Sequence, residues 1–258
     1  MTGESEPVGL NEISVLVPSS SDEAVAAFGD GTDVTVVAGG TIVVPEVAAG
    51  RLRPKSALLL GRAGLTGITR ASGKVTIGAA TPVSELAEAD APLAQAAAHV
   101  GDIEVRSQAT VGGNICAESS EDTPRGDLQA ALLALGTTVR SAGKGGERNE
   151  PLEDFLADGT GRLVLDVSYD DAPRQAGYAA VWRPHSHHYT ILAVAAARRD
   201  GELRVAATGV APRAVLIDPD DPLAGLEPRD DALASTWYRT QLLPRLVART
   251  LAQLEEAG

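Results

Sequence analysis

"TVVAGGTIVV", Thr35 to Val44, sets two glycines and a threonine between two short apolar runs. The run before the glycines is rich in β-branched residues, which suits a strand; the glycines end it, and the chain can then enter a helical turn. A strand that stops in this way points several backbone N–H groups at one spot, and glycine lets an anion approach within hydrogen-bond distance. Two readings follow: an ordinary structural turn, or a phosphate cradle formed by Val36, Val37, Ala38, Gly39, Gly40, Thr41, Ile42 and Val43, with a hydroxyl donor from Thr41. The stretch lacks the third spaced glycine of a Rossmann fingerprint and the following lysine of a Walker A loop.

A second turn of the same character follows at Thr110, Val111, Gly112, Gly113 and Asn114. Its asparagine can turn the chain or hydrogen-bond a ligand. A dinucleotide pyrophosphate lying between two subdomains would use both turns. Spacing alone leaves the structural and the ligand-binding readings open.

The elements around the turns alternate between strand and helix. "ISVLVP" (13–18), "TDVTVVAGG" (32–40, running into the glycine pair), "ALLLGR" (57–62) and "KVTIGAA" (74–80) read as strands, with "LTGIT" (65–69) as a connector. "SSSDEAVAAF" carries a serine cap and early acids, a helix start. "TPVSELAEAD" and "APLAQAAAHVGD" read as helices, and residues 103–127 are too polar and glycine-rich for one regular element. "LQAALLALG" (128–136) is a helix with a glycine stop, "TTVRSA" a strand, "KGGERNE" an exposed turn and "RLVLDVSY" (162–169) a strand. From about residue 172 the pattern becomes a meander, "GYAAVWR", "TILAVAAARR" and "ELRVAATGVAP" with an Asp-Gly hairpin turn, then "AVLID" and an amphipathic tail helix. "ILAVAAARR" suits a helix by composition as well.

Bulk properties narrow the function classes. The chain has 258 residues, 44% hydrophobic and 22% charged, enough for one large domain or two modest ones with a substantial core. Aromatics are only 3%, so packing relies on small aliphatic side chains. The formal net charge of −13 repels phosphate backbones and anionic headgroups, which argues against nucleic acid and membrane surfaces as partners. No apolar run approaches the roughly 20 residues needed for a transmembrane segment, and the N-terminus lacks the pattern of a signal peptide. The chain therefore reads as cytoplasmic. A single cysteine, Cys116, excludes an intramolecular disulfide and any self-contained iron–sulfur cluster.

The order of the motifs carries a resemblance. "VVAGGTIVVPEVAAGRLRPKSALLLGRAGLTGIT", "VTIGAATPVSELAE" and "VRSQATVGGNICAES…GDLQAALLALGTTV" follow one another as in the FAD-binding (medium) subunit of the molybdenum hydroxylase family, the carbon monoxide dehydrogenase and xanthine dehydrogenase type. The resemblance extends over most of residues 12–215. It implies an α+β fold: a two-subdomain FAD-binding domain of the PCMH type at 1–172, divided near residue 55, then a smaller C-terminal domain at 173–258 with a three-stranded antiparallel sheet and helices.

It also implies that Val36–Val43 and Thr110–Asn114 hold the FAD pyrophosphate. The family aspartate before "LQAALLALG" corresponds to Asp127, which could serve ribose hydroxyls or a water network. Thirteen residues separate Asn114 from Asp127, more than the family spacing, so "ESSEDTPR" reads as an insertion and Asp122 is a rival. A main-chain contact at Leu163 is also typical of the family. "GYAAVWR" matches a family pattern in which Tyr178 and Arg183 fit, while Ala180 stands where a lysine is usual; a cation there would sit near the flavin and stabilise its reduced anion. Molybdopterin and [2Fe–2S] clusters are expected only in partner subunits, a large molybdopterin subunit and a small iron–sulfur subunit, in a dimer of heterotrimers.

Other residues have bland readings beside functional ones. His185, His187 and His188 suit an exposed loop better than a metal site, and could reach the flavin edge instead. Cys116 reads as a small buried hydrophobe rather than a redox thiol, and His99 as a residue favouring a helix C-terminus. Glu118, Glu121 and Asp122 form a solvated loop or face a basic partner surface. Tyr178 and Trp182 are either core residues or aromatics that pack on the flavin. The resemblance implies a FAD-carrying electron-transfer subunit of an oxidoreductase with no general acid or base of its own. A flavin-free scaffold subunit is the alternative, favoured by Ala180 and the enlarged loop. A stand-alone flavin oxidase lacks a substrate-pocket signature here.

Overall fold

A computed structural model describes residues 13–118, 126–158, 161–172, 174–183 and 189–256. The first unit is a parallel three-stranded sheet, β1 (Ser14–Leu16), β3 (Ser56–Leu59) and β2 (Val34–Val37), in the order β1-β3-β2. Helix α1 (Ser21–Phe28) crosses from β1 to β2. It starts at Ser20, whose side chain accepts from the Glu23 amide at 3.2 Å, while the Glu23 carboxylate accepts from the Ser19 amide and hydroxyl at 2.7 Å. This reciprocal capping satisfies donors that a helix start leaves free. Helix α2 (Val43–Ala48) follows the first glycine turn. Ala24 and Phe28 of α1 pack with Leu58 of β3 and with Leu163 and Leu165 of the next sheet.

That next sheet is antiparallel, β4 (Ile68–Ala71), β5 (Lys74–Gly78), β8 (Leu163–Asp170), β6 (Thr138–Ala142) and β7 (Arg148–Pro151), in the order β4-β5-β8-β6-β7. Its crossovers carry α3 (Leu93–Ala98), α4 (Ile103–Gln108), α5 (Val111–Ile115), α6 (Gln129–Ala134) and α7 (Leu152–Asp158). Several details differ from the sequence reading: "ALLLGR" is strand only to Leu59, after which Leu60–Arg62 winds as a 3-10 helix. The "LTGIT" connector holds the start of β4, which exists because it pairs with β5 from Ile68↔Ile77 to Ala71↔Lys74. "VSELAE" winds as a 3-10 helix, Val83–Glu88. Its entry is pinned by a bridge between Pro82 and Thr110 and by the Val83 amide on the Ala109 carbonyl. The "KGGERNE" turn already contains the first residues of β7, held by Arg140↔Asn149 and Ser141↔Arg148.

The last sheet contains the three long meander strands, β9 (Gln175–Trp182), β10 (Thr190–Arg199) and β11 (Glu202–Thr208), all antiparallel. A two-residue strand, β12 (Val215–Leu216), extends the order to β12-β11-β10-β9. Helix α8 (Thr236–Glu256) lies on β9 and β10. Strand β10 is alanine-rich yet extended, because it lies between two partners and is buried on both faces over eight residues. One face of the meander packs on α8; the other joins α6, α3 and the five-stranded sheet in the largest core cluster.

Candidate functional site

At the first glycine turn, Val36 and Val37 are held in register with Leu58 and Leu59 of β3, and the chain leaves the sheet at Ala38. Gly40 adopts φ +72°, a left-handed conformation that favours glycine. The turn then closes through the Val44 amide on the Gly40 carbonyl at 2.9 Å and the Glu46 amide on the Ile42 carbonyl at 3.3 Å. The amides of Gly39, Gly40 and Thr41 meet no acceptor among the described residues. Free N–H groups on successive residues form an anion-binding concavity. Gly39 itself is required by packing: a β-carbon there would stand 1.9 Å from the Gln108 carbonyl oxygen. The first turn therefore rests on the backbone that leads into the second.

The second turn is less open. Thr110 caps α5, and each following amide has a protein acceptor: Val111 on the Thr81 carbonyl at 3.0 Å, Gly112 on the Ala79 carbonyl at 2.8 Å, Gly113 on the Thr110 hydroxyl at 3.2 Å and Asn114 on the Thr110 carbonyl at 2.9 Å. Gly112 is buried against Ala79, whose β-carbon lies 2.8 Å from the place a Gly112 β-carbon would take. Gly113 is exposed, and an added β-carbon would meet only the Thr110 hydroxyl, at 3.0 Å. Asn114 turns inward; its side-chain oxygen accepts from the Leu128 amide at 2.8 Å and fastens α5 to the segment carrying Asp127.

Asp127 is buried, and the loss of water raises its carboxyl to about 7. The Thr190 and Tyr178 hydroxyl oxygens are both buried without hydrogen-bond partners among the described residues. Burial, and then the nearby Asp127 charge, hold the Tyr178 phenol well above its ordinary value. Tyr178 is 6% exposed, with its amide on the Gln253 side chain at 2.8 Å and its ring 5.3 Å from that of His99. The structure thus brings Asp127 and Tyr178 together in the interior. Leu163 opens β8 opposite Ala142, its side chain in the core beneath the first glycine turn. Burial pushes the Cys116 thiol up to about 12, and the half-buried side chain packs on the main core.

An open cavity of about 390 Å³ is lined by Ala98, His99, Gly101, Asp102, Ile103, Arg106 and Trp182. Arg106 had no signal in the sequence, and His99 only that of a helix end; both are placed by the fold. Asp122, Glu121, His185, His187 and His188 lie outside the described residues. Among the described residues no group of three or more His, Cys, Asp or Glu is placed to hold a metal ion, and no helix is long and apolar enough to cross a membrane.

The free amides of Gly39–Thr41 fit a phosphate group. Residues 11–167 match the family described as the FAD binding domain in molybdopterin dehydrogenase. The carbon monoxide dehydrogenase medium chain of Hydrogenophaga pseudoflava is 27% identical, over 91% of this chain and 94% of that one. Subunit alpha of the 6-hydroxypseudooxynicotine dehydrogenase complex of Paenarthrobacter nicotinovorans is 25% identical, over 92% and 93%. In fold, the chain resembles the solved carbon monoxide dehydrogenase of H. pseudoflava with a TM-score of 0.82 at 24% identity, covering 95% of this chain and 98% of that one. Quinoline 2-oxidoreductase of Pseudomonas putida 86 gives 0.78 at 22%, with the same coverage. The chain belongs to the family of FAD-binding domains of molybdopterin dehydrogenases, as a medium, FAD-binding oxidoreductase subunit.

Proposed function

We propose that the chain is the FAD-carrying electron-transfer subunit of a heteromeric molybdenum hydroxylase, passing electrons from [2Fe–2S] clusters in a partner to an external acceptor. The observation that carries this reading is the run of amides at Gly39, Gly40 and Thr41 that meet no acceptor among the described residues. Gly39, Gly40 and Thr41 would hold the pyrophosphate through N–H donors, with the dipole of the following turn adding to the field. The bare surface of Gly113 would let the phosphate approach from the second turn. Asn114 and Asp127 act one step behind: Asn114 locks α5 to Leu128, and Asp127 faces the Tyr178 and Thr190 hydroxyls. When bound, FAD supplies the capacity to accept and release electrons; the chain supplies position and field.

One cysteine cannot ligate an iron–sulfur cluster, which supports a large molybdopterin subunit and a small iron–sulfur subunit as partners, in a dimer of heterotrimers. The test is flavin content. The purified full chain, or its complex, should show the flavin absorption bands, and Gly40→Val and Gly113→Val should each lose the bound flavin. A colourless complex that still turns over its substrate, or full flavin in both variants, would overturn the reading. Flavin-free scaffolding is the second reading, favoured by the inward-directed amides of Val111–Asn114 and by Ala180.

A further inference from the structure

Helix α8 has two faces of different character. Arg239, Leu243, Leu246, Val247, Thr250 and Leu254 are buried, and the apolar ones among them join the core beneath the meander. At about 100° of turn per residue, the opposite face carries Trp237, Tyr238, Arg245, Ala248, Arg249 and Ala252, all exposed. Trp237 is 71% exposed, more than any other large apolar side chain among the described residues. Its turn is firmly held. The Ser235 hydroxyl accepts from the Tyr238 amide at 3.2 Å, the Asp230 carboxylate accepts from the Thr236 amide, and the Thr236 hydroxyl donates to the Pro228 carbonyl at 2.9 Å. An indole on a pinned turn loses little freedom when a partner covers it, which favours it as a binding anchor.

The charge of the same face runs against that of the chain. The protein has 35 acidic and 22 basic residues, yet Thr236 to Leu254 contains no Asp or Glu. Arg245 and Arg249 stand four residues apart, a like-charge spacing that weakens a helix by itself. Neither guanidinium has a hydrogen bond or ion pair among the described residues. Carboxylates brought by another molecule would relieve that repulsion, and the short side chains of Ala248 and Ala252 let its surface come close. Trp237 and Arg249 are twelve residues apart, about 18 Å along the helix, which fits within a standard interface of about 800 Å² on each partner.

We propose that the outward face of α8 docks an acidic surface of another protein subunit, with Trp237 seated in an apolar pocket and Arg245 and Arg249 paired with carboxylates. The proposal rests on the heteromeric reading above and adds which face of this chain is covered, and by what chemistry. A lipid surface fits less well. The apolar face of α8 is already spent on its own sheet, and one indole with two arginines offers little apolar area to insert. A second copy of the chain fits less well too, because each copy brings a net charge of −13.

The experiment compares the complex, purified through a tag on this chain, with the isolated full chain. Hydroxyl radicals should oxidise Trp237 several times more slowly in the complex, as read by mass spectrometry. Trp237→Ala should weaken reassembly of the chain with the rest of the complex about thirtyfold, as loss of a tryptophan hot spot does. Arg245→Glu combined with Arg249→Glu should weaken it at least as much and remove the salt dependence of the wild type. Arg148→Glu, the same reversal on exposed β7, should leave assembly unchanged. A Trp237 equally reactive in complex and isolated chain, or assembly that survives the α8 variants, would overturn the proposal. So would an equal loss from Arg148→Glu, which would make the effect one of net charge. If the double variant melts early, the Trp237 footprint of the wild type decides alone. Self-association of the isolated chain that the α8 variants abolish would give the face to a second copy. Binding to phosphatidylglycerol vesicles that they abolish would give it to a membrane, and either result overturns the proposal. A chain that never associates with other subunits refutes the heteromeric reading and the docking face with it, whereas a complex that leaves Trp237 open refutes the docking face alone.

Discussion

At Gly39 a methyl group would meet the Gln108 carbonyl oxygen at 1.9 Å, and no rotamer relieves the clash because the obstacle is backbone. Gly39→Ala should therefore destabilise the chain by about 2–4 kcal/mol, as forced overpacking and strain do, read as a lower midpoint in urea. Gly113→Ala meets only a hydroxyl and should cost less than about 1 kcal/mol, yet weaken ADP binding; equal losses of stability in the two variants would refute the division of roles. The sequence shows four equivalent glycines as ligand room. Their difference was illegible there, because it depends on Gln108 and Ala79, which only the fold brings alongside. Asp127 carries a second residue-scale prediction. Its carboxyl is raised by burial from the ordinary carboxylate range to about 7 in the folded chain. The folded state then holds a proton that the unfolded state releases near pH 4. This contribution to stability is fully present below about pH 4 and is lost as the pH rises through about 7. Denaturation of the flavin-free chain at pH 5 and pH 8 should show lower stability at pH 8, and Asp127→Asn should flatten that difference. A slope unchanged by Asp127→Asn would place the titration elsewhere.

A buried cation adds to the apolar packing of helix α8 on its sheet. Arg239, 1% exposed, donates to the Ile191 and Gly209 carbonyls and pairs with the buried Asp231 at 2.5 Å. Gly209 has φ +84°, and a β-carbon there would stand 2.2 Å from the Ile191 carbonyl oxygen, so that corner admits the guanidinium and little else. Removing one partner of a buried pair leaves an uncompensated charge. Arg239→Met should cost about 3–5 kcal/mol in chemical denaturation, whereas Lys55→Met, which breaks an exposed pair with Asp33, should cost less than about 1 kcal/mol. Similar costs would show that burial of the pair is irrelevant. The amphipathic pattern of the tail made α8 legible, and the serine cap made α1 legible, because those signals are local. The short strand β4 was missed for the opposite reason. Only its pairing with β5 makes "ITRA" extended, and β10 is a strand against its alanine content because β9 and β11 flank it. The TVGGN segment was read as one more open turn, whereas the Thr110 cap and the acceptors at Ala79 and Thr81 wind it into helix α5.

Across the whole molecule, the order of the two glycine turns made the family legible. The cavity beside β9 was not: His99 and Trp182, which line it, are far apart in sequence, and neither type of residue is diagnostic alone. The change of pattern near residue 172 raises a related question, whether the meander is a separate folding unit. We propose that it is a change of architecture within one cooperative body. Tyr178, Ala193, Ala195, Ala197 and Ala206 of the meander share a core cluster with Val75, Leu132 and Val167 of the preceding sheet and helices. Gln129 of α6 locks the two parts further, donating to the Ile115 and Ala117 carbonyls at 2.9 and 2.8 Å while accepting from the Ala214 amide at 2.9 Å. Helix α6 is buried along its whole length, with β10, β11 and β12 as much of its cover. Without them a chain of residues 1–172 would expose an apolar face and leave Gln129 with an unpaired buried oxygen, each costly by itself. The full chain should therefore unfold in urea in a single transition, with far-ultraviolet and near-ultraviolet circular dichroism giving the same midpoint. The 1–172 fragment should lose its near-ultraviolet signal and bind a hydrophobic dye, because its secondary structure has no complete core to pack on. A fragment that melts cooperatively at the midpoint of the full chain would show instead that the first 172 residues fold alone and that the meander is an appended domain.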